Sequence, residues 1–102
     1  MRVINLSSGS DGNLTYIETE ATKILIDAGL SCKEIEKRLS LLKINGNEID
    51  AIFITHEHSD HIKGLDVFCK KYETNIYAHN DGWGALSTKL SRIKEEQKKH
   101  FN

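Results

Sequence analysis

The stretch FITHEHSDHIKG, Phe53 to Gly64, gathers His56, His58, Asp60 and His61 just where an apolar run ends. Imidazole and carboxylate side chains hold borderline divalent ions such as zinc, and neutral imidazole binds them near pH 7. His56 and His58 stand two residues apart at a strand end, so they project from the same side. Asp60 and His61 follow where the chain enters a helix, which turns them back toward the first pair. Four donors from one loop point to a metal centre. A lone histidine would be read as a solvated loop residue, and Ser59 or Asp60 as a helix N-cap. Neither account covers three histidines together with Asp60.

A second loop, SSGSDGN (Ser7–Asn13), carries hydroxyls and flexible backbone whose N–H groups suit a phosphate nest, so Ser8, Ser10 and Asn13 are candidate substrate contacts. The plainer reading is preferred, with Gly9, Gly12 and Asn13 as turn residues that permit positive φ. His79 and His100 are expected at the surface, and Cys32 and Cys69 as small buried hydrophobes. Lys89, Arg92, Lys94, Lys98 and Lys99 lie among acids and neutral polar residues, the pattern of a solvated helix face. Trp83 fits an apolar helix stripe.

The elements that must position these groups follow from hydrophobic periodicity. RVINL (Arg2–Leu6), LTYIE (Leu14–Glu18) and KILID ending at Asp27 read as strands, and Ala28 and Gly29 break the third. Ser31 with Glu34 has the form of a capping box opening a helix with Ile35, Leu39 and Leu42 on one face, closed by NGN at 45–47. AIFIT (Ala51–Thr55) is a buried strand. Ile62, Leu65, Phe68, Cys69 and Tyr72 then recur at helical spacing, and NIYAH (Asn75–His79) is another strand. A last helix is expected to carry Trp83, Leu86, Leu90 and Ile93 before a charged tail, KEEQKKHFN. The order β-β-β-α-β-α-β-α predicts an α/β (α+β) domain, a mixed sheet with helices on one face.

With 102 residues, 38% hydrophobic and 28% charged, the chain has the profile of one water-soluble domain with a modest core. A net charge of −1 argues against a nonspecific nucleic-acid coat. No run reaches the roughly 20 apolar residues of a membrane span, and the start lacks a signal peptide's apolar core, so a cytoplasmic location is expected.

The spacing His-x-His-x-Asp-His resembles the signature of the metallo-β-lactamase superfamily. KILIDAG is similar to the family strand that ends in an Asp beside the metal site, matching Asp27. LSSGSDGN with TYIET, ILIDAGLS and THEHSDHIKG resemble more specifically the YycJ/WalJ-like branch, and the likeness runs through nearly all of residues 1 to 80. The resemblance implies an αββα sandwich and a hydrolase using two divalent ions, zinc by default or manganese. His56 and His58 would hold the first ion, Asp60 and His61 the second, and Asp27 would support them from behind. Asp60 would also orient the attacking water. The branch implies cytoplasmic DNA as substrate, cut as an exonuclease. Thioester, lactone or RNA hydrolysis stands as the enzymatic alternative, and a non-catalytic metal-binding or dimerising module as the other.

The family's second half supplies a further histidine, a bridging aspartate and a last histidine, none of which residues 1–102 match. The chain therefore reads as the N-terminal half of the sandwich, with an intact two-metal site not expected from it alone. One sheet face would be left uncovered, lined by residues such as Ile24, Ile26, Ile52 or Ile54. Such a face would self-associate or pack on the missing half.

Overall fold

The computed structural model describes all residues, Met1–Asn102, and is built on one six-stranded sheet. Strands β1 (Arg2–Ser7), β2 (Leu14–Glu18) and β3 (Lys23–Ile26) form an antiparallel meander. Then β4 (Ala51–Phe53), β5 (Asn75–His79) and β6 (Lys98–Phe101) each add in parallel, so spatial order equals chain order. The crossovers are α1 (Cys32–Leu41), the short α2 (Ser59–Ile62) with α3 (Leu65–Tyr72), and α4 (Asn80–Ser87). No helix is long and apolar enough to cross a membrane.

Strand alternation assigns the two faces. Tyr16, Leu25, Ile52 and Ile76 lie abreast in the register and are fully buried against Ile35 and Leu39 of α1, Leu65, Phe68 and Cys69 of α3, and Trp83 and Leu86 of α4. Each such apolar side chain contributes about 1.5–3 kcal/mol when removed from water. Tyr16 keeps its hydroxyl satisfied by donating to Glu18 Oε1 at 2.6 Å, and burial together with that bond pushes its pKa up to about 12. The opposite face carries Ile17, Ile24, Ile26, Phe53 and Tyr77, only half-buried, beside exposed Val3 and Phe101. Phe53 stacks on Tyr77 at 4.7 Å and leans on Phe101 at 6.3 Å.

Three expectations need correction. Ile52 and Ile54 belong to the helix-covered core, not to the open face, which has Ile24 and Ile26 as foreseen. The helical run after the histidines breaks at Lys63 and Gly64 into α2 and α3. The last helix stops at Ser87, leaving Leu90 and Ile93 to pack on the core from a loop, and the charged tail forms β6. That loop is pinned by Asp66, which accepts from the Ser91 and Arg92 amides at 3.2 and 3.0 Å and from the Arg92 guanidinium at 2.9 Å. Burial raises the Asp66 pKa, but these donors outweigh it and hold the carboxyl below its ordinary value. Buried Gln97 donates to the Cys69 and Thr74 carbonyls at 3.1 and 2.8 Å, and Trp83 Nε1–H to the Lys99 carbonyl at 2.9 Å. His100 is exposed, yet it stacks on Trp83 at 5.1 Å.

Candidate metal centre

All the histidine-loop donors sit beyond the ends of β3 and β4, and Asp27 ties these ends together. It is 4% exposed and has φ +65°, a left-handed conformation that aspartate tolerates better than most residues. The turn aims its carboxylate at two other segments. Oδ1 accepts the Thr55 amide at 2.8 Å, and Oδ2 accepts the Thr55 hydroxyl at 2.6 Å and His61 Nδ1 at 2.7 Å. An imidazole with Nδ1–H donating to a carboxylate is fixed in orientation and has its Nε2 lone pair free, the usual support of a metal-ligating histidine.

His61 Nε2 lies 3.7 Å from Asp60 Oδ2, so these two donors stand side by side. The His56 ring is 4.7 Å from that of His61 and 6.1 Å from that of His58, and its Nδ1 lies 3.1 Å from the Thr55 hydroxyl. His58, not Ser59 or Asp60, is the N-cap of α2, and its side chain makes no capping bond. Its imidazole is therefore not spent on the helix. No three His, Cys, Asp or Glu side chains converge on one point closely enough to hold an ion by themselves. The donors are gathered and oriented, and they fit divalent ions in chemistry and in the free nitrogens they present, without forming a closed cage.

Backbone contacts lock the loop. Asn13 N–H donates to the Asp60 carbonyl at 2.8 Å, Gly29 N–H to the Asn13 carbonyl at 2.9 Å, Ala28 N–H to the His61 carbonyl at 2.8 Å, and Gly64 N–H to the Ala28 carbonyl at 2.9 Å. The Asn13 side-chain amide adds a bond to the Asp60 carbonyl at 3.0 Å and reaches within 3.5 Å of His61 Nε2. Gly9 and Gly12 take φ +90° and +126°, so the first loop is a tight turn closed onto the second. Ser10 shares a depression with Asp60, whereas exposed Ser8 lines none. His79 is occupied as the α4 N-cap, its Nδ1 accepting the Asp81 amide at 3.0 Å.

Sequence reading misses Thr55, whose only signal is a lone hydroxyl at the end of an apolar strand. Thr55→Val keeps the amide bond to Asp27 and removes the hydroxyl that fixes its other oxygen. Zinc affinity, read by competition with a chromophoric chelator, should fall about 10- to 100-fold, as for other supporting contacts. Unchanged affinity would mean that Asp27 holds His61 unaided.

A family model described as the metallo-beta-lactamase superfamily matches residues 8–100. The chain is 43% identical over 97 residues to exodeoxyribonuclease YycJ of Bacillus anthracis, which covers 95% of this chain and 37% of that protein. It is 45% identical over 98 residues to exodeoxyribonuclease WalJ of Streptococcus pneumoniae serotype 2, covering 94% and 36%. The chain thus spans little more than a third of the length of these relatives. Among solved structures, the metallo-beta-lactamase SMB-1 in complex with mercaptoacetic acid superposes with a TM-score of 0.74 at 15% identity, over 91% of this chain and 41% of that one. At that identity the likeness speaks for the fold alone.

Proposed function

The chain belongs to the metallo-β-lactamase superfamily, and we propose that it carries the first part of the metal centre of a DNA exonuclease acting in the cytoplasm. The observation that carries this reading is the His-x-His-x-Asp-His loop held on Asp27 by His61 Nδ1 at 2.7 Å. The choice of DNA is supported by the two exodeoxyribonuclease relatives.

In this reading His56 and His58 would hold one divalent ion, and Asp60 and His61 would hold a second. When bound, the pair supplies activated water and neutralises charge on the oxygens of a phosphodiester. The chain's own residues do the positioning. Asp27 aims His61 Nε2, and Thr55 fixes Asp27 while touching His56. Asp60 presents a second oxygen able to orient the attacking water and accept its proton. Zinc suits the imidazole-rich set, and manganese suits it if further carboxylates complete the shell.

We also propose that residues 1–102 form the first half of an αββα sandwich. The half-buried strip of Ile17, Ile24, Ile26, Phe53 and Tyr77 supports a second sheet there, from further chain or from a second copy. The donors of residues 1–102, which do not close on one point, would be completed from the same source.

The test is nucleotide release from linear DNA labelled at either 5′ or 3′ end, with zinc or manganese, by this chain and by any longer polypeptide that carries it. Release from the ends in the completed protein, abolished by a chelator and restored by adding the ion back, is the expected result. Metal binding with no DNA turnover in either form would replace this reading with a non-catalytic metal-binding module. Turnover of a thioester, a lactone or RNA instead would keep the metal chemistry and change the substrate.

A further inference from the structure

A nuclease must hold the strand whose phosphodiester reaches the histidine loop, and two adjoining depressions offer a path. The first, about 440 Å³, includes Ser10, Asp11, Ser59, Asp60 and Lys63 in its lining. The second, about 590 Å³, includes Cys32, Lys33, Glu36, Lys63 and Lys71. Lys63 borders both, so they run together from the Asp60 carboxylate past Lys63 to Lys33 and Lys71.

Charge changes sign along this path. Asp11 and Asp60 mark the end at the candidate metal centre, and three ammonium groups face one carboxylate at the other. Lys71 is paired to Glu36 at 2.5 Å, whereas Lys33 and Lys63 take part in none of the chain's ion pairs. An unpaired ammonium is a mobile point charge suited to phosphate. Neither lining includes an aromatic ring, so bases have nothing to stack on and recognition falls on the backbone, whatever the sequence. We propose that Lys63 and Lys33 form a track for the phosphodiester backbone of a single DNA strand leading to Asp60. The proposal rests on the DNA-hydrolase reading.

The test is fluorescence anisotropy of a labelled oligothymidylate with the chain, in a chelator so that no hydrolysis intervenes, between 50 and 200 mM salt. Loss of two single-strand phosphate contacts lowers the slope of log K against log salt by about 1.4, so in Lys33→Ala/Lys63→Ala the salt-induced loss of affinity shrinks about sevenfold. Lys37→Ala/Lys70→Ala, whose lysines line neither depression, should retain the wild-type slope. Half-buried Cys32 lies on the track and Cys69 is buried, so bound DNA should slow alkylation of the one accessible thiol. An unchanged slope in Lys33→Ala/Lys63→Ala, absent binding by the wild type, or unprotected Cys32 would overturn the track. Preferential binding of oligouridylate would overturn the DNA assignment. End-labelled DNA cut by a protein whose lysine variant keeps its slope refutes the track and spares the nuclease. Slope loss and Cys32 protection without any DNA cutting would do the reverse.

Discussion

In whichever form of the protein completes the donor set, His58→Ala should abolish tight metal binding, while His100→Ala leaves it unchanged. The expected loss exceeds the roughly 100-fold seen when only a supporting contact is removed, because a donor to the ion itself is deleted. The substitution is also unusually clean. His58 caps α2 through its backbone alone, with no side-chain bond to lose, so the fold should stay intact by circular dichroism. His100 sits on β6, stacked on Trp83 and 3.2 Å from Asn80 Oδ1, and shares no hydrogen bond or ring contact with the histidine loop. Elemental analysis of the two purified variants, with oligomeric state measured alongside, decides the matter. Equal metal content in both would refute the ligand assignment. If the wild type retains no ion, residues 1–102 do not complete the donor set by themselves, and the same pair of substitutions is compared in a second-copy assembly or in any longer polypeptide that carries them.

Much of this centre is legible in sequence, because its donors are neighbours. His56, His58, Asp60 and His61 come from one loop, whereas Asp27 is singled out only by the resemblance of KILIDAG to the family's strand. Thr55 is not legible in that way. Its hydroxyl matters only once β3, the end of β4 and α2 are brought within hydrogen-bond reach of each other. The same distinction separates the strands. β1 to β5 carry apolar patterns strong enough to be read locally, whereas β6 is KKHF, with a single apolar side chain. Its pairing with β5 depends on Asp66, Gln97 and Trp83, which hold the preceding turn and the strand itself. For β4, the continuous apolar run AIFI does not show which side chains face the helices. Only the register with Leu25 and Ile76 puts Ile52 in the core and Phe53 on the open face.

Gly29→Ala should be among the most damaging small substitutions in the chain. A Cβ there would lie 2.0 Å from the Asp60 carbonyl oxygen, 2.7 Å from its carbon and 2.4 Å from the Asn13 nitrogen. All three are backbone atoms, so no side-chain rotation relieves the clash. The loops must separate, which breaks the Asn13-to-Asp60 and Gly29-to-Asn13 bonds at about 1 kcal/mol each in addition to an overpacking cost of about 1–3 kcal/mol. A total near 4 kcal/mol is a large share of the roughly 5–15 kcal/mol that holds a domain together. In a chain of this size it should lower Tm by on the order of 20 °C. Gly84→Ala is the control, since that glycine lies in α4 with nothing within 4 Å of the added carbon. Alanine there should be neutral or slightly stabilising. The measurement that matters is metal affinity below the lowered Tm. The backbone that Gly29 admits carries Asp60 and adjoins His61, so a displaced loop should lose the ion even where the chain remains folded. A variant with a depressed Tm and wild-type metal affinity would show that the crossing of these loops stabilises the fold without positioning the donors.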